Sequence, residues 1–257
     1  MKKEQTEAYL NRIGFTGALR PDRRTLETLM ERHLASVPFE NLDIWDLHRP
    51  ISLEPERLFE KIVAERRGGY CFELNGLFYE LLCAAGFRVY PVAARILWRK
   101  TDRPPLTHRA SVVELAGEKL YCDIGFGGPG PQRPLFLRPG IVQRQGNERF
   151  LLRIAGGELE ICRIEDERPE PVLSFADRPF EEADFRPLNY YCSHSTDILF
   201  VRQRVVSLCA GRARYSISGD RLTVEDAEGR REETLDSAPL LEQALAHYFG
   251  ISVRLSE

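Results

Sequence analysis

The sequence predicts an α+β fold in which helices come first, strands follow, and a small mixed segment closes the chain. Three observations carry this. Apolar residues up to Gly86 recur at helical spacing. Those from Tyr90 onward alternate. Turn-forming dipeptides punctuate the rest at Ala116-Gly117, Gly156-Gly157 and Gly219-Asp220. At 257 residues the chain can bury a full core. Hydrophobic residues at 43% and charged residues at 29% are ordinary for a soluble globular protein, and a net charge of −3 gives no global drive toward nucleic acid.

In the first third, Leu26, Leu29, Met30 and Leu34 share one helical stripe, and Leu58, Phe59, Ile62 and Val63 share another. Ser52 and Pro55 supply a start signal for the second. Between them, the stretch from Val37 to Asp43 reads as an ordered loop. A third helix begins near Cys71, carries Leu74, Leu77, Phe78, Leu81, Leu82 and Ala85 on one stripe, and stops at Gly86. The pattern then switches: Tyr90, Val92, Ala94, Ile96 and Trp98 alternate, and Leu106 to Phe126 reads as a hairpin about Ala116-Gly117. A second hairpin turns at Gly156-Gly157, and the charged run Glu165 to Glu170 reads as a solvated connection. In the last third, a hairpin at Gly219-Asp220 pairs Tyr215 and Ile217 with Leu222 and Val224. A helix then starts at Ser237, with Pro239 in its first turn, and runs to Gly250.

No apolar h-region follows Met1 and no stretch has membrane-spanning length, so neither a secretory signal nor a membrane anchor is expected. The six cysteines are scattered without a C-x-x-C pair or a Cys/His cluster, which argues against a metal site and for free thiols in a reducing cytoplasm.

One of those thiols is placed to react. Cys71 follows Arg66-Arg67-Gly68-Gly69-Tyr70 where a loop feeds a helix, and the positive end of a helix favours a thiolate. The two arginines are expected to push the same way. A thiol nucleophile wants an imidazole to take its proton, and the imidazole wants a carboxylate to orient it. If Ala116-Gly117 is a two-residue turn, Leu115 faces Glu118, Asp123 falls opposite Ala110 and His108 opposite Gly125. His108 and Asp123 are then diagonal neighbours on one face. Cys122 points to the opposite face, Cys83 falls on the buried part of the third helix, and His33 sits on an apolar stripe as a packed core histidine. Cys192 lies near His194 but has no helix-start or base-orienting signal. The run Gly125-Phe126-Gly127-Gly128-Pro129-Gly130 lacks the Lys-Ser/Thr ending of a phosphate loop. It suits a plain turn. Beside Asp123 it also suits a site mouth, where backbone N–H groups at Gly127 and Gly128 could meet a pyrophosphate.

Taken together, Arg67-Gly68-Gly69-Tyr70-Cys71-Phe72-Glu73 with Asn75, the stretch from Val37 to Asp43, Thr107-His108-Arg109, and Asp123-Ile124-Gly125-Phe126-Gly127-Gly128 closely resemble the arylamine N-acetyltransferases, bacterial members in particular. The resemblance spans essentially the whole chain. It implies a helical bundle over 1–86, a β-barrel over 87–190, an α/β lid over 191–257, and a papain-like catalytic core. It implies ping-pong chemistry with acetyl-CoA as donor co-substrate and no metal: Cys71, paired with His108 and oriented by Asp123, takes the acetyl group and passes it to an arylamine, arylhydrazine or arylhydroxylamine. It also implies aromatic walls at Phe39, Phe126 and Phe200, with Phe39 equally suited to core packing. Coenzyme A and a small aromatic amine or hydrazine are the expected partners, with no nucleic acid or membrane, in a monomer or homodimer.

A papain-type protease would carry its His about 130–150 residues after the cysteine, a window with no His in this chain. An amide synthase sharing the order Cys, His, Asp stays open, as does a binding protein that keeps the fold.

Overall fold

Helix starts and stops fall where the side-chain chemistry of the sequence puts them. The computed structural model describes residues 1–211 and 213–255. Helix α1 (Lys3–Arg12) is followed by α2 (Arg23–Ser36), whose Asp22 cap accepts from the Thr25 N–H at 2.8 Å. A two-residue strand β1 (Phe39–Glu40) and a short helix α3 (Leu42–Trp45) occupy the stretch expected as an ordered loop. Helix α4 (Pro55–Phe59) starts on its proline and runs into a π-helical turn over Glu60–Ala64. Helix α5 (Cys71–Ala84) begins at Cys71 itself and is left through Gly86, whose φ of 83° suits a helix-ending glycine. Its Leu74, Leu77, Phe78, Leu81 and Leu82 are all 0% exposed. Cys83, expected among them, is exposed. One residue past Leu82 is about 100° around the helix, which is enough to leave the core.

The middle of the chain is one antiparallel sheet of eight strands: β2 (Arg88–Ile96), β3 (His108–Leu115), β4 (Glu118–Cys122), β5 (Leu135–Phe136), β6 (Val142–Gln145), β7 (Glu148–Ala155), β8 (Glu158–Glu165) and β9 (Arg168–Phe175). Their order is β5-β4-β3-β2-β9-β8-β7-β6. Leu115 faces Glu118 and Ser111 faces Cys122, which is the register read from Ala116-Gly117. The charged run at Glu165 is a tight hairpin rather than a loose connection. Asp166 and Glu167 both have positive φ, 45° and 62°, so a two-residue turn is made here without glycine.

The two outer strands of this sheet are drawn together. Gln143 of β6 accepts from the Phe136 N–H and donates to the Phe136 carbonyl of β5, both at 2.8 Å. A side-chain amide thus stands in for backbone pairing and brings the sheet to a nearly closed barrel. Val112, Tyr121, Leu135, Phe150, Leu152 and Phe175 pack inside it.

The chain then forms α6 (Phe185–His194), which buries Phe185, Asn189 and Cys192 on one face, a short α7 (Leu199–Arg202), and a second sheet. That sheet runs β1-β10-β11-β12-β13 through β10 (Val205–Ala210), β11 (Ala213–Ser218), β12 (Arg221–Asp226) and β13 (Gly229–Thr234). Tyr215 faces Val224 and Ile217 faces Leu222, as the Gly219-Asp220 turn requires. β13 is exposed along its length and carries no alternation to read. Helix α8 (Ala238–Phe249) covers the sheet and ends at Gly250 in the left-handed region. No helix among the described residues is long and apolar enough to cross a membrane.

His33 is packed in the helical core, as expected. Its Nδ1 meets the Tyr9 hydroxyl at 2.8 Å, its ring sits edge-on to Phe78, and its Nε2 has no partner. Burial, helped by the charge of Arg12, pushes it from 6.5 down to about 3. The folded chain therefore refuses a proton that the unfolded chain takes below pH 6.5, and stability falls as pH drops from 6.5 toward 3. His33→Gln, which keeps an acceptor for Tyr9, should flatten that acid limb in a plot of Tm against pH and leave the alkaline limb unchanged. Gln143→Leu should lower the unfolding free energy by about 1–3 kcal/mol in urea titrations, the range for two lost hydrogen bonds.

Candidate active site

Where Cys71 sits is fixed by charges buried beneath it. Arg67 donates to Glu40 at 3.0 Å and to Asp43 at 3.2 Å, and the Lys61 ammonium lies 2.7 Å from Asp43 and 2.8 Å from Glu73. Burial favours the neutral acid at Asp43, but Lys61 and Arg67 outweigh it and hold the carboxyl below its usual range. The Glu40 N–H donates to the Gly69 carbonyl at 2.9 Å, so the loop before α5 is stitched to β1. Glu73 caps α5 by accepting from the Tyr70 N–H at 3.1 Å. This corrects the expected part of the arginines. Arg67 is committed to Glu40 and Asp43, and Arg66 is exposed, so neither is directed at the thiol.

What acts on the thiol is the end of the hairpin. His108 Nε2 lies 2.7 Å from Asp123 Oδ2, and the ring is close enough to Cys71 for each charge to act on the other. Because a carboxylate only accepts, Nε2 carries the hydrogen bonded to Asp123, which leaves Nδ1 as the nitrogen free to serve a nucleophile. Burial favours a neutral ring, but Asp123 outweighs it and pushes His108 up to about 10. Burial raises the Cys71 thiol above its usual value, and the nearby His108 imidazolium offsets part of that rise. Cys192, by contrast, is pushed up to about 12 by burial. The first turn of a helix and a protonated imidazole thus act together on Cys71.

Asn75, one turn beyond Cys71 on the same face, locks the parts together. Its Nδ2 donates to the Arg109 carbonyl at 2.6 Å and to Asp123 Oδ1 at 2.9 Å, and its Oδ1 accepts from the Ile124 N–H at 3.0 Å. Asp123 Oδ1 also accepts from the Gly125 N–H at 2.9 Å. A side chain at Gly125 would come within 2.9 Å of the Cys71 Cα, so only glycine lets the hairpin end approach the helix this closely.

All three residues of the expected triad, Cys71, His108 and Asp123, are therefore neighbours, each 3% exposed or less. A cavity of about 280 Å³ opens beside Asp123, lined by it and by Phe126, Phe39, Gly127, Gly128 and Tyr215 among others, while Cys71 and His108 do not line it. Phe126 stands edge-on to His108 with ring centres 5.9 Å apart. Phe200 does not line this cavity. It packs behind it, 5.6 Å from Phe39 and 5.8 Å from Tyr70. The sequence reading gave no role to Asn75 or Tyr121 in orienting Asp123, and it set Cys192 apart from the site. The Cys192 thiol donates to the Thr107 carbonyl at 3.6 Å, and Cys71 Sγ lies 3.7 Å from the same oxygen. Cys122 is buried away from that face, as expected. Among the described residues no group of acidic, His and Cys side chains could hold a metal ion.

Over residues 22–257 the sequence matches the N-acetyltransferase family. It is 34% identical over 251 residues to an arylamine N-acetyltransferase of Mycolicibacterium smegmatis, across 95% of this chain and 91% of the relative. The structure is similar to that of arylamine N-acetyltransferase from Salmonella typhimurium, with a TM-score of 0.92 at 28% identity over 98% of this chain and 92% of the other. It is also similar to the Mycobacterium marinum arylamine N-acetyltransferase in complex with CoA, with a TM-score of 0.88 at 30% identity over 96% and 92% of the two chains.

A helix N-terminus and an imidazolium beside one thiol predict that Cys71 is the most reactive of the six at mildly acidic pH. Iodoacetamide at about pH 6 should label Cys71 before the others, read by peptide mass spectrometry, and His108→Ala should abolish the preference. Uniform slow labelling of the wild-type chain would contradict the assignment of His108 to the thiol.

Proposed function

The chain belongs to the arylamine N-acetyltransferase family, a family of acyltransferase enzymes, and from that premise we propose that it transfers acetyl from acetyl-CoA to arylamines, arylhydrazines or arylhydroxylamines through a thioester on Cys71. The observation that carries the reading is the burial of Cys71, His108 and Asp123 together at the start of α5, with His108 Nε2 on the Asp123 carboxylate.

In the first half-reaction the Cys71 thiolate attacks the thioester carbonyl, the bond to the coenzyme A sulfur breaks, and His108 returns a proton to the departing thiolate. Exchange of one thioester for another is nearly thermoneutral, so the acyl group keeps its energy without metal or nucleotide. In the second half-reaction an amine nitrogen attacks acetyl-Cys71, His108 takes its proton, and the Cys71 thiolate leaves. An aniline nitrogen is neutral and nucleophilic at neutral pH, whereas an alkyl ammonium is not, which favours aromatic acceptors. The Cys71 N–H is in the first turn, where N–H groups have no partner within the helix, and is the natural donor to the oxyanion of both steps.

The size of the cavity, about 280 Å³, is near the lower end of the roughly 300–1,000 Å³ of small-molecule sites. It suits one aromatic ring, or the narrow arm of coenzyme A that bears the sulfur. Phe39 and Phe126 would wall the acceptor, with Phe200 backing Phe39. Gly127 and Gly128 would meet the donor at the mouth. Gly127 has a φ of 71° and a side chain there would strike the Phe39 ring at 2.9 Å, so bare backbone faces the opening. The reading divides the chain into a helical bundle over 1–86 that bears the nucleophile, a barrel over 87–190 that bears base and carboxylate, and a lid over 191–257, around a papain-like core. It places the enzyme in the cytoplasm, which free thiols at all six cysteines support.

Mixing the protein with acetyl-CoA alone should add one acetyl mass to Cys71. Adding aniline or a hydrazine should then release free coenzyme A thiol continuously, with parallel lines in double-reciprocal plots. Cys71→Ala should abolish release while leaving the fold intact. No acetyl mass on Cys71 and no thiol release from the wild-type protein would overturn the reading.

A further inference from the structure

We propose that Tyr121 is a positioning residue that sets how tightly His108 holds its proton, acting through Asp123 and without touching substrate. The inference rests on the reading of Cys71, His108 and Asp123 as the reacting groups. Tyr121 stands two residues before Asp123, so strand alternation puts both side chains on one face. It is 0% exposed, and its ring lies against Phe175 in the barrel with centres 5.2 Å apart. Its hydroxyl donates to Asp123 Oδ2 at 2.8 Å, the same oxygen that takes His108 Nε2 at 2.7 Å. Burial keeps the phenol protonated, so it is a donor at any working pH.

Two donors therefore divide one carboxylate oxygen, while Oδ1 is occupied by Asn75 and the Gly125 N–H. The titratable groups facing this cluster are Cys71 and Tyr70 from the start of α5, His108 from β3, Cys122 from β4 itself and Cys192 from α6. Of these, His108 joins Tyr121 on Oδ2. Without the hydroxyl, the charge on Oδ2 would fall wholly on the imidazolium. The ring would then hold its proton more tightly, stay charged beside Cys71 to higher pH, and remain protonated in a larger share of the acetyl-enzyme, where it cannot take the proton of an incoming amine. Tyr121 moderates that pull.

The test follows the His108 ring by NMR against pH in wild type and Tyr121→Phe. Its titration midpoint should move up by roughly half to one pH unit. At neutral pH kcat with a weakly basic aniline should fall several-fold. A folded Tyr121→Phe protein whose midpoint stays put or moves down, whatever its Tm, overturns the assignment. Should that variant fail to fold, 3-fluorotyrosine incorporated at position 121 carries the test. Its more acidic hydroxyl is a stronger donor and must move the midpoint down, and an unmoved midpoint overturns the assignment equally. The titration needs no acetyl donor, so a shifted midpoint in a protein that acquires no acetyl on Cys71 would remove the acyl-transfer reading and leave the role of Tyr121 standing.

Discussion

Everything at the site depends on a cluster of five charges sealed under the start of α5. Three acids, Glu40, Asp43 and Glu73, share two bases, Lys61 and Arg67, and Glu40 has no exposed side-chain surface. Such a cluster is a poor source of net stability, because desolvation consumes most of the attraction. Its value is geometric. Removing one partner of a buried pair leaves an uncompensated charge at a cost of about 3–5 kcal/mol, so alternative positions for the loop before Cys71 are closed off. The same Glu73 that binds Lys61 caps the helix, which ties the register of α5 to the cluster.

Against that fixed helix, the hairpin brings its end. Asp123 accepts four hydrogen bonds, from His108, Tyr121, Asn75 and the Gly125 N–H, and each comes from a different local geometry: a strand start, a strand interior, a helix turn and a tight backbone bend. A carboxylate so fully engaged cannot rotate, and the imidazole it orients cannot either. Precision of this kind is what positions a proton acceptor for chemistry.

Much of this was legible in the sequence, for identifiable reasons. The β3–β4 register follows from one turn and a period of two, so Ala116-Gly117 alone aligned His108 with Asp123. The start of α5 followed from a loop meeting an apolar stripe, and its end from Gly86. What escaped were interactions that join residues distant in sequence and leave no period. The destination of the Arg67 charge, the three-way engagement of Asn75 and the hydroxyl of Tyr121 are of this kind. So is the nearness of Cys192 to Cys71, which depends on where α6 docks. The turn at Asp166-Glu167 escaped for another reason: two acidic residues adopted a backbone that glycine or asparagine usually signals.

The glutamine clasp on the barrel has a consequence outside the site. A sheet whose first and last strands do not pair leaves two bare edges, and bare edges recruit strands from other molecules. By occupying both the N–H and the carbonyl of Phe136, Gln143 withdraws that edge from intermolecular pairing without welding the barrel shut. The two edges thus meet in a satisfied amide, in place of a template for aggregation.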